Sequence, residues 1–108
     1  MDKNQVEQLR GITRRPATPG EVAGQLCEEL GISRRQLAAR MGKTPSALNE
    51  LIRERKSLTP DMAHRLGRVF GNGAAVWLSM QQNVDMWDAL HADTHIYEGI
   101  ETIRAEAA

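Results

Sequence analysis

The chain has 108 residues, 41% of them hydrophobic, with 14 Lys and Arg against 14 Asp and Glu and a single cysteine; this fits one small domain and excludes an internal disulfide. No apolar run approaches the ~20 residues of a membrane span and the first residues lack the apolar centre of a signal peptide, so the expected location is cytoplasmic. The zero net charge hides a division: residues 1–70 hold 13 basic against 8 acidic side chains, net +5, and residues 71–108 hold 1 against 6, net −5, which fits a nucleic-acid face beside a separate surface for a protein partner.

Residues 1–17 read as a polar, partly ordered N-terminal arm. Val6, Leu9 and Ile12 give a weak one-face pattern, followed by the basic, turn-rich T-R-R-P-A-T-P. The arm is either a disordered tail or a segment ordered by DNA or a partner. Thr18, Pro19 and Glu21 then announce the first firm helix, with a cap, a first-turn proline and an acid at the capping-box position. It is expected to run to about Leu30, bury Val22, Ala23, Leu26, Cys27 and Leu30, and end at Gly31. Cys27, with aliphatic neighbours on its face, reads as a small core residue.

The stretch from Ser33 to Lys56 carries the densest signal. Ser33 and Gln36 form a capping box, Leu37, Ala38 and Met41 share a face, and Gly42 supplies the left-handed residue that ends the helix. Thr44 caps a second helix with Pro45 at its first position, and Leu48, Leu51 and Ile52 supply its buried stripe. A small residue at the crossing, a glycine turn and an apolar anchor six residues later are the requirements of a helix-turn-helix. Residues 33–56 hold 7 basic against 2 acidic side chains, so the positive excess lies on this motif. Thr44, Ser46, Asn49 and Arg53 are expected at base edges, because the second helix presents them outward near its N-terminus and a turn or two on. Arg34, Arg35, Gln36, Lys43, Arg55 and Lys56 are expected at phosphates.

Thr59, Pro60 and Asp61 repeat the start signal for a helix with Met62, Ala63, Leu66, Val69 and Phe70 on its apolar face, ending at Gly71. Gly67 inside it suggests the close approach of a neighbour. A last strong helix, from about Ala74 to Leu90, is apolar on more than one face. That surplus suggests a dimer interface at Trp77, Met80, Val84 and Trp87. Beyond Leu90 the chain is acidic, with a possible short helix from Glu98 to Ala107.

Signals for catalysis are thin. His91 and His95, with Asp93 between them, stand at a spacing that could hold a metal on a helix. No cysteine joins them, no H-E-x-x-H pattern or phosphate-binding glycine loop occurs, and no nucleophile has an evident base. The expectation is therefore no enzyme, no metal and no cofactor.

Residues 17–88 resemble the HigA family of antitoxins, within the λ-repressor-like, XRE-type helix-turn-helix superfamily. T-P-G-E-V at Thr18 to Val22 resembles the family's H-P-G-E-I/L opening, and L-N-E-L-I-R at Leu48 to Arg53 resembles its I-N-E-I-V-N. S-L-T-P-D-M-A-H-R-L is similar to G-I-T-x-x-T-A-x-R-L, and the tail from Trp77 to Met86 to W-L-N-L-Q-x-x-Y-D-L. Thr18 replaces a histidine, and Glu54 stands where the family often has glycine.

The resemblance implies an all-α, five-helix λ-repressor-like domain over residues 18–90 (motif 33–53), with the arm before it and an acidic C-terminal extension over residues 91–108. It further implies a homodimer that binds a palindromic double-stranded operator, represses its own operon and neutralises a HigB toxin, a RelE-type mRNA nuclease. Toxin contacts are expected on the acidic last part or on the arm. A stand-alone XRE-type repressor and a protein-only adaptor are the alternatives.

Overall fold

The computed structural model describes residues 1–92 and 95–104, and all regular structure among them is helical. The elements are α1 (Lys3–Gly11), α2 (Pro19–Leu30), α3 (Arg34–Met41), α4 (Pro45–Ile52), α5 (Pro60–Phe70), α6 (Ala74–His91) and α7 (His95–Glu98). Helices α2 to α6 are the five expected, and α1 gives the arm a regular helix of its own. No helix among the described residues is long and apolar enough to cross a membrane.

Helix starts follow from short side chains. Thr18, Ser33, Thr44 and Thr59 each accept the backbone N–H three residues on, and proline occupies the first turn of α2, α4 and α5. Each cap satisfies one of the N–H groups that an α-helix leaves without a partner. The stops are equally local. Gly31, Gly42 and Gly71 take positive φ after α2, α3 and α5, where an L side chain costs energy by bringing Cβ close to a carbonyl.

The core gathers Ala23, Cys27, Leu37, Ala38, Met41, Leu48, Leu51, Leu58, Met62, Ala63, Leu66 and Trp77. Two glycines allow backbones to touch within it. A Cβ on Gly20 would lie 2.4 Å from the Leu51 carbonyl oxygen, and one on Gly67 would lie 2.4 Å from the Gly73 carbonyl carbon. The first contact seats α2 on the end of α4. The second lets the turn into α6 cross α5, so the neighbour expected at Gly67 is the entry to α6.

Several expectations change. Leu30 is 60% exposed, because it lies in the last turn of α2, beyond the reach of the core stripe. Trp77 and Val84 are 0% and 2% exposed, so they cannot face another chain. Trp77 instead packs on Phe70, with ring centroids 5.7 Å apart, and its Nε1–H donates to Asn72 Oδ1 at 2.8 Å. Met80 packs partly buried against the core. Trp87 is half-buried and donates from Nε1 to the Ile12 carbonyl at 2.8 Å. Much of the apolar surplus of α6 is therefore covered within the chain, partly by α1. At the end of the chain the helix expected from Glu98 to Ala107 is replaced by the four residues of α7; residues 99–104 are not helical, and 105–108 lie outside the described residues.

Candidate nucleic-acid interface

The second helix of the motif, α4, is held from three sides. Leu48 and Leu51 anchor its inner face in the core, Gly20 presses against its last turn, and the loop after it is tied to α6 where Leu58 N–H donates to Gln81 Oε1 at 2.9 Å. Its C-terminus closes in a Schellman turn: the Arg55 N–H donates to the Glu50 carbonyl at 2.9 Å and the Glu54 N–H to that of Leu51 at 3.1 Å. That turn needs a left-handed residue, normally glycine. Here it is Glu54, with φ +58°, the one non-glycine residue of positive φ among the described residues.

Arg15 from the arm supports Glu54 from outside. One terminal nitrogen of its guanidinium donates to Glu54 Oε1, while Nε and the other terminal nitrogen each meet an oxygen of Asp88 at 2.9 Å. The Asp88 hydrogen bond, followed by that of Glu54, raises the Arg15 pKa. In return, the Arg15 hydrogen bond holds the Asp88 carboxyl below the usual carboxylate range. Arg15 thus joins the arm, the end of α4 and α6.

Of the residues expected at base edges, Ser46, Asn49 and Arg53 line one shallow polar depression together with Glu50 and Arg55. Positions 46, 49 and 53 are three and four apart, so they stack along one helical face. Thr44 is exposed at the N-terminus of α4, its hydroxyl oxygen accepting the Ala47 N–H at 3.2 Å; the hydroxyl proton remains available to an acceptor.

Of the residues expected at phosphates, Arg34 and Arg35 are exposed in the first turn of α3, where the free N–H groups and the helix dipole favour an anion. Gln36 spends its side-chain oxygen on the Ser33 N–H at 2.7 Å, leaving its amide N–H groups to donate. Lys43 lies 3.4 Å from Asp61, and Lys56 lies 3.2 Å from Glu50. Arg55 is exposed beyond the turn.

Three positioning residues escaped the reading of the sequence. Gly20 was legible only as part of a helix start, although the small residue after Thr-Pro was the available sign. Arg15 had no local signal. Arg65, on α5, donates to the Met41 carbonyl at 2.8 Å and to Asp61 at 3.0 Å, so a cation satisfies the end of α3. That pairing also holds Asp61 below the usual carboxylate range, with Lys43 adding to it.

Elsewhere, burial pushes the Cys27 thiol up, which suits the core and not a nucleophile. His91 stacks on Trp87, with ring centroids 4.0 Å apart, and Asp93 lies outside the described residues. Among the described residues no three His, Cys, Asp or Glu side chains converge as a metal would require.

The helix-turn-helix family model matches residues 25–77. Virulence-associated protein I of Dichelobacter nodosus is 39% identical over 69 residues, covering 63% of this chain; the chain spans 64% of that protein's length. Antitoxin HigA-1 of Vibrio cholerae is 35% identical over 81 residues, covering 74% of this chain and 76% of the relative. Among solved structures, the Pseudomonas aeruginosa antitoxin HigA with its higBA promoter superimposes with a TM-score of 0.73 at 32% identity, over 83% of this chain and all of that one.

Proposed function

We propose that this chain, which belongs to the XRE-type helix-turn-helix family that includes the HigA antitoxins, is a cytoplasmic antitoxin-repressor that binds operator DNA through α4 and neutralises a HigB-type toxin. The observation that carries the DNA half is the row of Ser46, Asn49 and Arg53 along one polar depression of α4. A major groove admits an α-helix, and short polar side chains near its start with a longer cation further on can reach base edges. Asn49 has the bidentate geometry for adenine and Arg53 that for guanine. Arg34, Arg35, Gln36, Lys43, Arg55 and Lys56 fit the flanking phosphates, where contacts position the protein without reading sequence.

One such helix reads only a few base pairs, so a homodimer on a palindromic site is part of the proposal, with recognition helices about 34 Å apart. With Trp77 and Val84 inside the monomer, pairing through α6 would rest on its outer edge, where Val76 is 40% exposed. The test is a titration of the purified protein on its own promoter and on scrambled DNA, together with co-expression of the toxin encoded in the same operon. Specific binding to a palindrome and a stable complex with the toxin support both halves. Specific DNA binding with no toxin complex leaves a stand-alone repressor, and salt-independent protein association with no DNA binding leaves an adaptor.

A further inference from the structure

We infer that Arg15 of the arm is a positioning residue for DNA binding: it holds the Glu54 carboxylate behind the end of α4, so that Arg53 and Arg55 meet the DNA unopposed. This rests on the DNA-binding reading above. The motif from residue 33 to residue 56 has two acidic side chains, Glu50 and Glu54, among 7 basic ones. Both are paired. Glu50 takes Lys56 from within the motif at 3.2 Å, whereas Glu54 takes its cation from outside it, from Arg15.

The need for that cation lies in where Glu54 stands. It follows Arg53 and precedes Arg55, and consecutive Cα atoms are about 3.8 Å apart. Arg53 and Arg55 are exposed and, among the described residues, enter no ion pair, so both guanidiniums are available to phosphates or base edges. A free carboxylate between them, well inside the Debye length of about 8 Å, would weaken the field of both cations and repel phosphate. The fold draws it to the other side. Arg53 and Arg55 line the depression of Ser46 and Asn49, whereas Glu54 lines a separate polar cavity between the arm, the end of α4 and α6, with Arg15, Ser57, Gln81, Asp85 and Asp88. The two sets share no residue.

Arg15 is itself fixed to the body of the domain. Asp88 accepts from its Nε and from one terminal nitrogen at 2.9 Å each, which leaves the other terminal nitrogen to donate to Glu54. Asp88 stands one helical turn after Val84, which is 2% exposed, so the carboxylate that grips Arg15 is carried by a part of α6 seated in the domain. The guanidinium is spent on two carboxylates. Its contribution to DNA binding is therefore made through Glu54 and not by a contact of its own.

The test is a titration of the protein's own promoter with the unmodified chain and with Arg15→Ala, Arg15→Ala with Glu54→Gln, and Arg15→Ala with Asp88→Asn. Each variant lacks the clasp, and the two double variants have the same net charge, so these two differ only in which carboxylate is removed. All three side chains are partly exposed, and circular dichroism checks that each protein titrated is folded. Arg15→Ala should weaken binding about 5-fold at low salt, and the loss should shrink as salt screens the carboxylate. Adding Glu54→Gln should restore the affinity of the unmodified chain, and adding Asp88→Asn should not. An unmodified chain that does not bind its promoter overturns the DNA-binding reading and this inference with it. Where the unmodified chain binds, an Arg15→Ala protein of equal affinity overturns this inference alone. So does equal affinity in the two double variants, because Arg15 then acts through the fold or through net charge and not at Glu54.

Discussion

Arg15 and Asp88, 73 positions apart in the chain, meet fork to fork, with both nitrogen–oxygen distances at 2.9 Å. Geometry of this kind is the exception among exposed ion pairs, most of which contribute little. Both side chains are partly open to water, Arg15 at 35% and Asp88 at 46%, so Asp88→Asn should lower stability at pH 7 by about 1 kcal/mol. The folded carboxyl is held below its unfolded pKa. Its contribution is therefore complete above about pH 5 and fades as the pH falls through the folded value, below the ordinary carboxylate pKa of about 3.9. Urea titrations at several pH values should show the two proteins converging in acid; a difference that persists at pH 2 would place the effect in packing.

Glu54 combines an unfavourable backbone with a favourable side chain, and a double-mutant comparison separates them. With Arg15 present, Glu54→Gly relieves the left-handed strain but removes the contact to the guanidinium, and the two changes should nearly cancel. In an Arg15→Ala background the contact is already gone. There Glu54→Gly should raise stability by about 1 kcal/mol. The difference between the two backgrounds is the coupling energy.

Gly20→Ala and Gly67→Ala would normally each gain about 1 kcal/mol of helix propensity. Here the new Cβ atoms would lie 2.4 Å from backbone atoms of Leu51 and Gly73, and backbone does not yield as a side chain tip does. Each substitution should instead cost about 1 to 3 kcal/mol in denaturant unfolding. Gly20→Ala should in addition weaken operator binding, since it pushes on the last turn of α4. Gly67→Ala, remote from that helix, should not do so in the protein that remains folded.

The two helices of the motif should respond differently to salt. Arg34→Ala should weaken binding to operator and scrambled DNA alike, and reduce the slope of log K against log salt by about 0.9 if one phosphate contact is lost. Asn49→Ala should remove about 1 to 3 kcal/mol from operator binding while changing non-specific affinity less. Arg53 is placed at the C-cap of α4, where it could reach a base or a phosphate, so Arg53→Ala should show part of each signature. A reversal, with Arg34 carrying discrimination and Asn49 only the salt term, would exchange the roles of α3 and α4.

The helices α2 to α5 were legible because their boundaries are largely chemical, while α6, which starts at Gly73 without a side-chain cap, was legible from its run of apolar residues. Thr18, Ser33, Thr44 and Thr59 announce starts, and Gly31, Gly42 and Gly71 announce stops, each through a hydrogen bond or a dihedral that involves only a few neighbouring residues. What joins distant residues was not legible. Trp77, Val84 and Trp87 form an apolar surplus on α6, and periodicity records that such a surface must be covered without saying by which chain. The weak pattern of Val6, Leu9 and Ile12 was half of the answer, since Leu9 is buried on the helix that packs against α6, whereas Ile12 meets α6 only through its carbonyl and keeps its side chain 42% exposed. The tail helix was expected from Glu98 onward, whereas the short helix observed there, α7, runs from His95 to Glu98 and residues 99–104 are not helical. Among the candidate DNA contacts, the outward row on α4 followed from spacing alone, whereas the supports from Arg15, Gly20 and Arg65 required the fold.

The clasp between α1 and α6 also sets an order of events in folding. Helices α3 and α4, and α5 and α6, are neighbours along the chain and can meet early, whereas closing the Ile12–Trp87 contact brings together residues 75 positions apart, at an entropy cost that grows with the logarithm of the loop. Only Leu9 of α1 is buried to offset it. Helix α1 is thus the last part to dock and the first to leave. The two tryptophans report on the two stages separately: Trp77 is sealed as the core forms, and Trp87 finds its carbonyl only when the arm arrives. In stopped-flow refolding, a Trp87→Phe protein should therefore lose the slower component of the fluorescence change and keep the faster one.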